Sequence, residues 1–550
     1  MGETKMRTSS VVIFCLVLTV VVGNGAAAQP SEPPAVQPLP VPRGFLNVLD
    51  CGATGDGVTK DTASIQTAVD RAAEAGGGVV YFPPGTYLSG AIQMKSNVTL
   101  HLEVGATLLG STSIDDYPCV DPAFRSYTDK YVCQSLITGE GLHHIAITGQ
   151  GTIDGQGAAF DSKVPGGGYR KRPYLIRFVS CSHVLVEGVT LRNSPMWMQH
   201  YLNCENVVLR GLDVYNHSNA NNDMVDIDCS RNVRISDCFA TTGDDAITLK
   251  STADVPCENV SITNCTVSSN CNAIKMGTES NGGFKNISVS NCTISKPKNG
   301  YAGDRSLSGI ALMIVDGGLM EGITISNIAM EGVRSAIFIR LGNRARPFKA
   351  DMEKPGIGTL RDVNISNIVA RNVEKTGCFI AGLPDHPVQN VSISNARITF
   401  AGGGALEDAA REIPENAEKY PEGTMFGTLP AYGFYCRHVD GVTFRNVEVG
   451  FASPDLRPAL VCDDVQHLVA DGFQGQSVAE GSPLLVLKNV QGALIRGSVA
   501  PEGCAAFLHV EKGCERVTLL ANDLSGAKIA STFAEGVEKE LLHQDSNRLP

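Results

Sequence analysis

The 550-residue chain predicts an all-β fold, a parallel β-helix closed at its N-terminal end by a capping helix. Three observations carry this. First, a short segment of alternating apolar residues ending in a turn former recurs: "HIAITG" (144–149), "HVLVEG" (183–188), "NVVLRG" (206–211), "NVRISD" (232–237), "NVSITN" (259–264), "NISVSN" (286–291), and onward through "NVSISN" (390–395) to "RVTLLA" (516–521). Second, its closest spacings are 23 to 28 residues. Third, the chain holds 58 glycines and one tryptophan, a profile that suits many short strands and tight turns. Alternation gives strands, and recurrence at that period gives a solenoid. A coil that short cannot bury its apolar face alone, so coils stack with strands about 4.8 Å apart and share one core. A propeller needs a repeat near 40 residues, and a leucine-rich repeat would show regular leucines where this chain has Ile, Val and Asn.

Taken in chain order, Lys5 and Arg7 precede the apolar run "VVIFCLVLTVVVG" (11–23), and "AAA" (26–28) follows before Gln29. This reads as a signal peptide over 1–28, since the run is short of the ~20 residues that span a membrane. The mature protein is therefore expected to be secreted or periplasmic. "PSEPPAVQPLPVP" (30–42) makes 29–44 an extended Pro-rich linker. A single β-helix is expected over 45–545. In "KDTASIQTAVDRAAEAGGG" (60–78), Asp61 is the expected N-cap, Ile65, Ala68, Val69 and Ala72 share one face, and glycines stop the helix over the first coil. The stretch 401–436 interrupts the solenoid, with a charged, helical-looking part at 405–419 and Tyr432 and Tyr435 beyond it. It and the loops 296–309 and 340–358 are expected to shape a binding face.

Lys and Arg total 45 against 57 Asp and Glu, and the pI is near 5.5, which argues against a general nucleic-acid binder. Removal of Cys15 with the signal leaves 16 of 17 cysteines. Cys119–Cys133 and Cys504–Cys514 are expected disulfides in an exported protein. No CxxC pair exists to suggest zinc. The cysteines at 229, 238, 257, 265, 271 and 292 read as small buried residues of stacked strands. Triplets such as those at Asn97 and Asn286 match the glycosylation pattern, but most fall inside the strand repeat.

Acidic residues crowd "NNDMVDI" (221–227) and "GDDAITLKS" (243–251). Asp223 and Asp244 are 21 residues apart, about one coil, so they are expected as stacked neighbours. "CNAIKMGTES" (271–280) repeats the strand once more. Alternation turns Ile247, Leu249, Ile274 and Met276 inward and Lys250 and Lys275 outward. By the same parity Asp245 faces the core unless the turn at "TGDD" rotates it, and a buried unpaired carboxylate would be costly. The expected result is an exposed carboxylate cluster flanked by lysines. Such a cluster can bind metal, carry structural charge or catalyse; the lysines oppose a cation. Hydrolysis of a glycosidic bond needs a carboxylic acid to protonate the leaving oxygen and a carboxylate to activate water or attack. Repulsion among close acids keeps one of them protonated.

"RPYLIRF" (172–178), "NSPMWMQHYLNCENV" (193–207), "NNDMVDID" (221–228) and "GDDAITLKS" (243–251), in this order, resemble glycoside hydrolase family 28, the polygalacturonases and rhamnogalacturonan hydrolases. The likeness runs from about 45 to 400. It implies a right-handed parallel β-helix that cleaves pectic chains with inversion. On this chain it makes Asp244 the general acid and gives Asp223 and Asp245 to the attacking water, with Asn222 where the family has threonine. Inversion asks for about 6.5–9.5 Å between acid and base partner. Two departures stand out. "CNAIKMG" has no histidine where polygalacturonases carry Gly-His-Gly, and "SGIALMIVDGG" (308–318) has nothing basic where they carry Arg-Ile-Lys. Lys250, Lys275, Arg340 and Asn272 are the candidates to hold an acidic sugar instead, with Arg344 and Arg346 following in a loop; ion pairing with nearby acids is the plainer role for these charges. Trp197 is placed to stack on a sugar ring or to pack in the core. Glu279 is equally open, and His200 and His217 read as satisfied polar residues. No cofactor and no metal are expected. The expected partner is an acidic plant-type polysaccharide, met by a monomer without a membrane anchor. A β-helix polysaccharide lyase, which needs a basic catalyst and usually calcium, and a non-enzymatic glycan-binding β-helix are the alternatives.

Overall fold

The computed structural model describes residues 44–161, 171–298 and 306–550. The signal peptide and all but the last residue of the linker lie outside the described residues. Among the described residues, 38 strands form one continuous sheet in which each strand pairs in parallel with those of the coils before and after it. The recurring segments stack in register: Ile145, Val184, Val207, Val233, Val260 and Ile287 follow one another from coil to coil, all of them buried. Their turn formers do more than end each strand. Asn264, Asn291, Asn327, Asn367, Asn395 and Asn446 all adopt left-handed backbone, which asparagine tolerates. Each also donates its side-chain amide to the residue one coil earlier at 2.9–3.4 Å, an outer ladder. This ladder explains the glycosylation-like triplets at Asn264 and Asn291, whose amides are already engaged.

Helix α1, Thr62–Glu74, buries Ile65, Ala68, Val69 and Ala72 on the first coils. Asp61 stands at its N-cap position, but the carboxylate accepts from the Thr54 and Gly55 amides at 2.7 and 3.0 Å rather than from the helix. Cys119 and Cys133 form the expected disulfide. Cys504 and Cys514 do not; both are free thiols buried in the core.

One run of strands positions the site: Tyr174–Val179, Gln199–Leu202, Val225–Asp228, Ile247–Ser251, Asn272–Ser280, Ser308–Ile314, Ser335–Leu341, Cys378–Ala381 and the start of Phe434–Phe451. Its outward face carries a single register row, Arg177, His200, Asp226, Thr248, Lys275, Ala311, Phe338, Phe379 and Tyr435. The later part of this row is not solvated. Ala311, Met313, Phe338 and Phe379 pack beneath Ile413, Phe426 and Leu429 of the 401–436 insertion. Within the insertion only Leu406–Ala409 is helical, a single turn where a longer helix was expected.

Candidate active site

The strand pairing brings the acids together as stacked neighbours. Asp226 lies opposite Thr248, an offset of 22. At the turn the backbone bonds bracket Asp223: Met224 N–H donates to the Asp245 carbonyl at 3.1 Å and Asp244 N–H to that of Asn222 at 3.4 Å, so Asp223 faces both Asp244 and Asp245. The turn before Ile247 does rotate the chain. Thr242 and Ser269 hydroxyls hold the Asp244 carbonyl at 2.8 and 2.7 Å, and Asp245 N–H donates to Asp244 Oδ1 at 3.0 Å. Asp245 is thereby swung outward to Lys275, whose Nζ lies 2.5 Å from Oδ2. Asn272 donates its backbone N–H and its side-chain amide to Oδ1 at 3.0 and 2.8 Å.

The cluster is sunk rather than exposed: Asp223, Asp245, Lys250 and Lys275 are each 2–4% accessible, and only Asp244 is partly open. Aromatic side chains do the covering. Trp197 packs with Val132, Tyr174 and Met196, and Lys250 Nζ sits 4.6 Å from its ring centroid, so its face meets an ammonium. The disulfide-closed loop brings Tyr131 edge-on to Trp197 at 5.5 Å and Tyr127 under the Arg346 guanidinium at 4.1 Å. From the insertion, the Tyr420 hydroxyl accepts from Lys275 Nζ at 3.3 Å.

The basic residues are paired. Lys250 lies 3.4 Å from both Asp226 and Glu279. Arg346 reaches Glu279 at 2.7 Å, and Arg344 and Arg346 both bind Asp316. Arg340 is displaced from the proposed clamp: its guanidinium donates to the carbonyls of Gly382 and Glu415 at 2.8 and 2.5 Å, pinning the insertion. His200 and His217 are only half satisfied: Nε2 lies 3.1 Å from Asp228 and 2.9 Å from Thr241 respectively, while Nδ1 of each is buried without a hydrogen-bond partner.

Electrostatics separates the carboxyls. Burial, reinforced by Asp226, Asp244 and Asp245, drives Asp223 well above the usual carboxylate range. This favours its protonated form, at the residue that the resemblance gives, with Asp245, to the attacking water. Burial and Asp245 also raise Asp244, in keeping with an acid. Burial pushes Asp226 up to about 8 although Lys250 opposes it. For Asp245 the burial penalty is outweighed by Lys275 and Lys250, and its carboxylate stays ionised below the ordinary range.

One oxygen each of Asp244 and Asp245 and the sulfur of Cys271 lie within 4.8 Å of one another. That is closer than the inverting separation expected for acid and base, at least for this pair. Lys275 already supplies the positive charge a cation would bring there. Cys271, partly exposed, departs from the buried reading given to its neighbours. No spacing in the sequence set it, Tyr127, Tyr131 or Tyr420 apart as site residues.

Residues 79–417, which hold all four motifs, match the model of the glycosyl hydrolases family 28, and residues 45–112 match that of rhamnogalacturonase A/epimerase, pectate lyase-like. The chain belongs to glycosyl hydrolase family 28. This family 28 chain is 30% identical over 402 residues to a probable polygalacturonase of Vitis vinifera, spanning 70% of this chain and 79% of the relative. It is 29% identical over 280 residues to the exo-poly-alpha-D-galacturonosidase of Dickeya chrysanthemi, 41% of this chain and 45% of that one. Among solved structures it is similar to the exopolygalacturonase of Thermotoga maritima, with a TM-score of 0.56 at 26% identity over 66% of this chain and 88% of the other. The fold is the right-handed parallel β-helix of family 28, and the protein is a glycoside hydrolase; the lyase and binding-only alternatives give way.

Proposed function

We propose that this family 28 hydrolase cleaves α-glycosidic bonds of an acidic pectic polysaccharide or oligosaccharide with inversion. The observation that carries the reading is one turn holding two carboxyls in opposite states, Asp244 raised by burial and Asp245 held ionised by Lys275. Asp244 gives its proton to the leaving oxygen. Asp245 takes the proton of the attacking water, and Asp223 orients that water. Lys250 and Lys275 supply positive charge for a uronate, which galacturonan-cleaving relatives support as the substrate class. The enzyme acts as a monomer outside the cytoplasm once residues 1–28 are removed; no described helix is long and apolar enough to cross a membrane.

The test is incubation with purified homogalacturonan, rhamnogalacturonan and rhamnose-capped oligomers, with sizing of products and proton NMR of the first-formed anomer. New reducing ends from an acidic chain with an inverted anomer are expected. The close oxygens of Asp244 and Asp245 favour a second reading, a covalent retaining route, which needs a carboxyl separation near 5 Å. A retained anomer selects it.

A further inference from the structure

We propose that the 401–436 insertion is the end wall of the substrate cleft and that Tyr420 on it places the terminal sugar, so that cleavage proceeds from a chain end. This rests on the acidic-chain reading above. A polysaccharide bound across the coils must follow the outward row of side chains. On one side of the acids that row stays polar through Thr248 and Lys275. At the next strand it turns to Ala311, then Phe338 and Phe379, and these lie under Ile413, Phe426 and Leu429. The strand where polygalacturonases carry Arg-Ile-Lys is thus closed by apolar packing. Only about two interstrand spacings, ~10 Å, separate the Asp245 coil from that covered strand.

The wall is fixed rather than draped. The Glu415 carbonyl accepts from Arg340, the Glu415 carboxylate meets Arg437 at 2.7 Å and His438 at 3.1 Å, and the Ala417 carbonyl accepts from Asn343 N–H at 2.7 Å. Between these anchors and the Phe426 contact, Tyr420 is half-exposed while its hydroxyl meets Lys275. Its ring lies against Lys275 and Arg344, with cation-to-centroid distances of 5.9 and 5.5 Å. An aromatic face with a polar edge, one residue removed from the ionised Asp245, is suited to seat a sugar ring. A separate cleft of about 580 Å³ is lined by the insertion's Arg411 together with Tyr435 and Val461. The ring of Tyr420 meets the sugar, while its hydroxyl bears on Asp245 through Lys275.

The measurement follows viscosity and product size during digestion of long homogalacturonan. Wild type should release single sugars from the start while viscosity barely falls. Tyr420→Ala should raise KM for short oligomers at least tenfold, more than it lowers kcat. Replacing 414–422 by a short Gly-Ser bridge should lengthen the first products; if that variant does not fold, Tyr420→Ala and Tyr420→Phe still decide. Tyr420→Phe keeps the ring but removes the hydroxyl that accepts from Lys275, leaving Lys275 to Asp245 alone, and should shift the acid limb of kcat without the KM change. An early collapse of viscosity with a ladder of oligomers from wild type, or a Tyr420→Ala enzyme with wild-type KM, overturns the wall alone. Absence of turnover on every acidic chain, visible in the wild-type arm, overturns the substrate reading and the wall with it.

Discussion

The outward row from Arg177 to Tyr435 is built twice over on one backbone. From Asp226 to Lys275 it is charged and sunk; from Ala311 to Tyr435 it is apolar and capped. The row runs unbroken through both halves, although the charged half carries a register shift after Leu249 that the apolar half lacks. The apolar half is ordinary core packing, and its side chains contribute through area removed from water. The charged half is buried against a desolvation penalty, offset by the pairs Asp245–Lys275 and Lys250–Glu279 and by the Arg344–Asp316–Arg346 group. One half holds the fold and the other holds the chemistry, so the two should fail differently when broken.

The largest separation of the two is expected from Asp244→Asn. It should lower kcat by ~10²–10⁴, the usual range for a general acid, while a thermal melt shows no loss of stability. A wild-type kcat in this variant would assign the acid elsewhere. Phe379→Ala should do the converse. This ring stacks on Phe338 and lies tilted against Phe426, and losing it should cost about 3–5 kcal/mol in denaturant unfolding. Lys275→Ala lies on the boundary and should lower kcat/KM on an acidic substrate by about 1.5–3 kcal/mol, whereas Arg340→Ala should act through the insertion and change products more than charge preference.

The pH dependence sharpens the contrast further. Activity should be bell-shaped. Its acid limb comes from Asp245, lowered from 3.8, and its alkaline limb from Asp244, raised from 3.8; the coupled carboxyls titrate as a set. Removing the Lys275 charge should move the acid limb upward. Stability follows the same signs. The Asp245 contribution is present above 3.8 and lost as pH falls through its lowered value. Asp226 keeps a proton in the fold that the unfolded chain has lost above 3.8, so stability should decline as pH rises toward about 8. Asp226→Asn should flatten that decline in a series of melts.

Coil period, inward residues and the acid-bearing strands were all legible in the chain, because alternation and stacking depend on local order. The β-helix follows from segments such as "NVSITN" (259–264) and "NISVSN" (286–291), which have no other way to bury Val260 and Ile287 than against each other. The outward direction of Lys250 and Lys275 follows from the same alternation. What the tertiary structure decided begins at the turn at 242–246, which sets Asp223 against both Asp244 and Asp245 and swings Asp245 out to Lys275; no periodicity reports how a turn rotates its residues. It decided which carboxyls are charged, since Asp223 and Asp245 differ in burial partners and not in residue type. It also decided where the cleft ends. Tyr420 lies 145 residues from Lys275, in an insertion with no repeat, and reaches it only because Phe426 and Leu429 need an apolar face to cover. Local pattern determines which face a side chain takes; only packing between distant segments determines what that face meets.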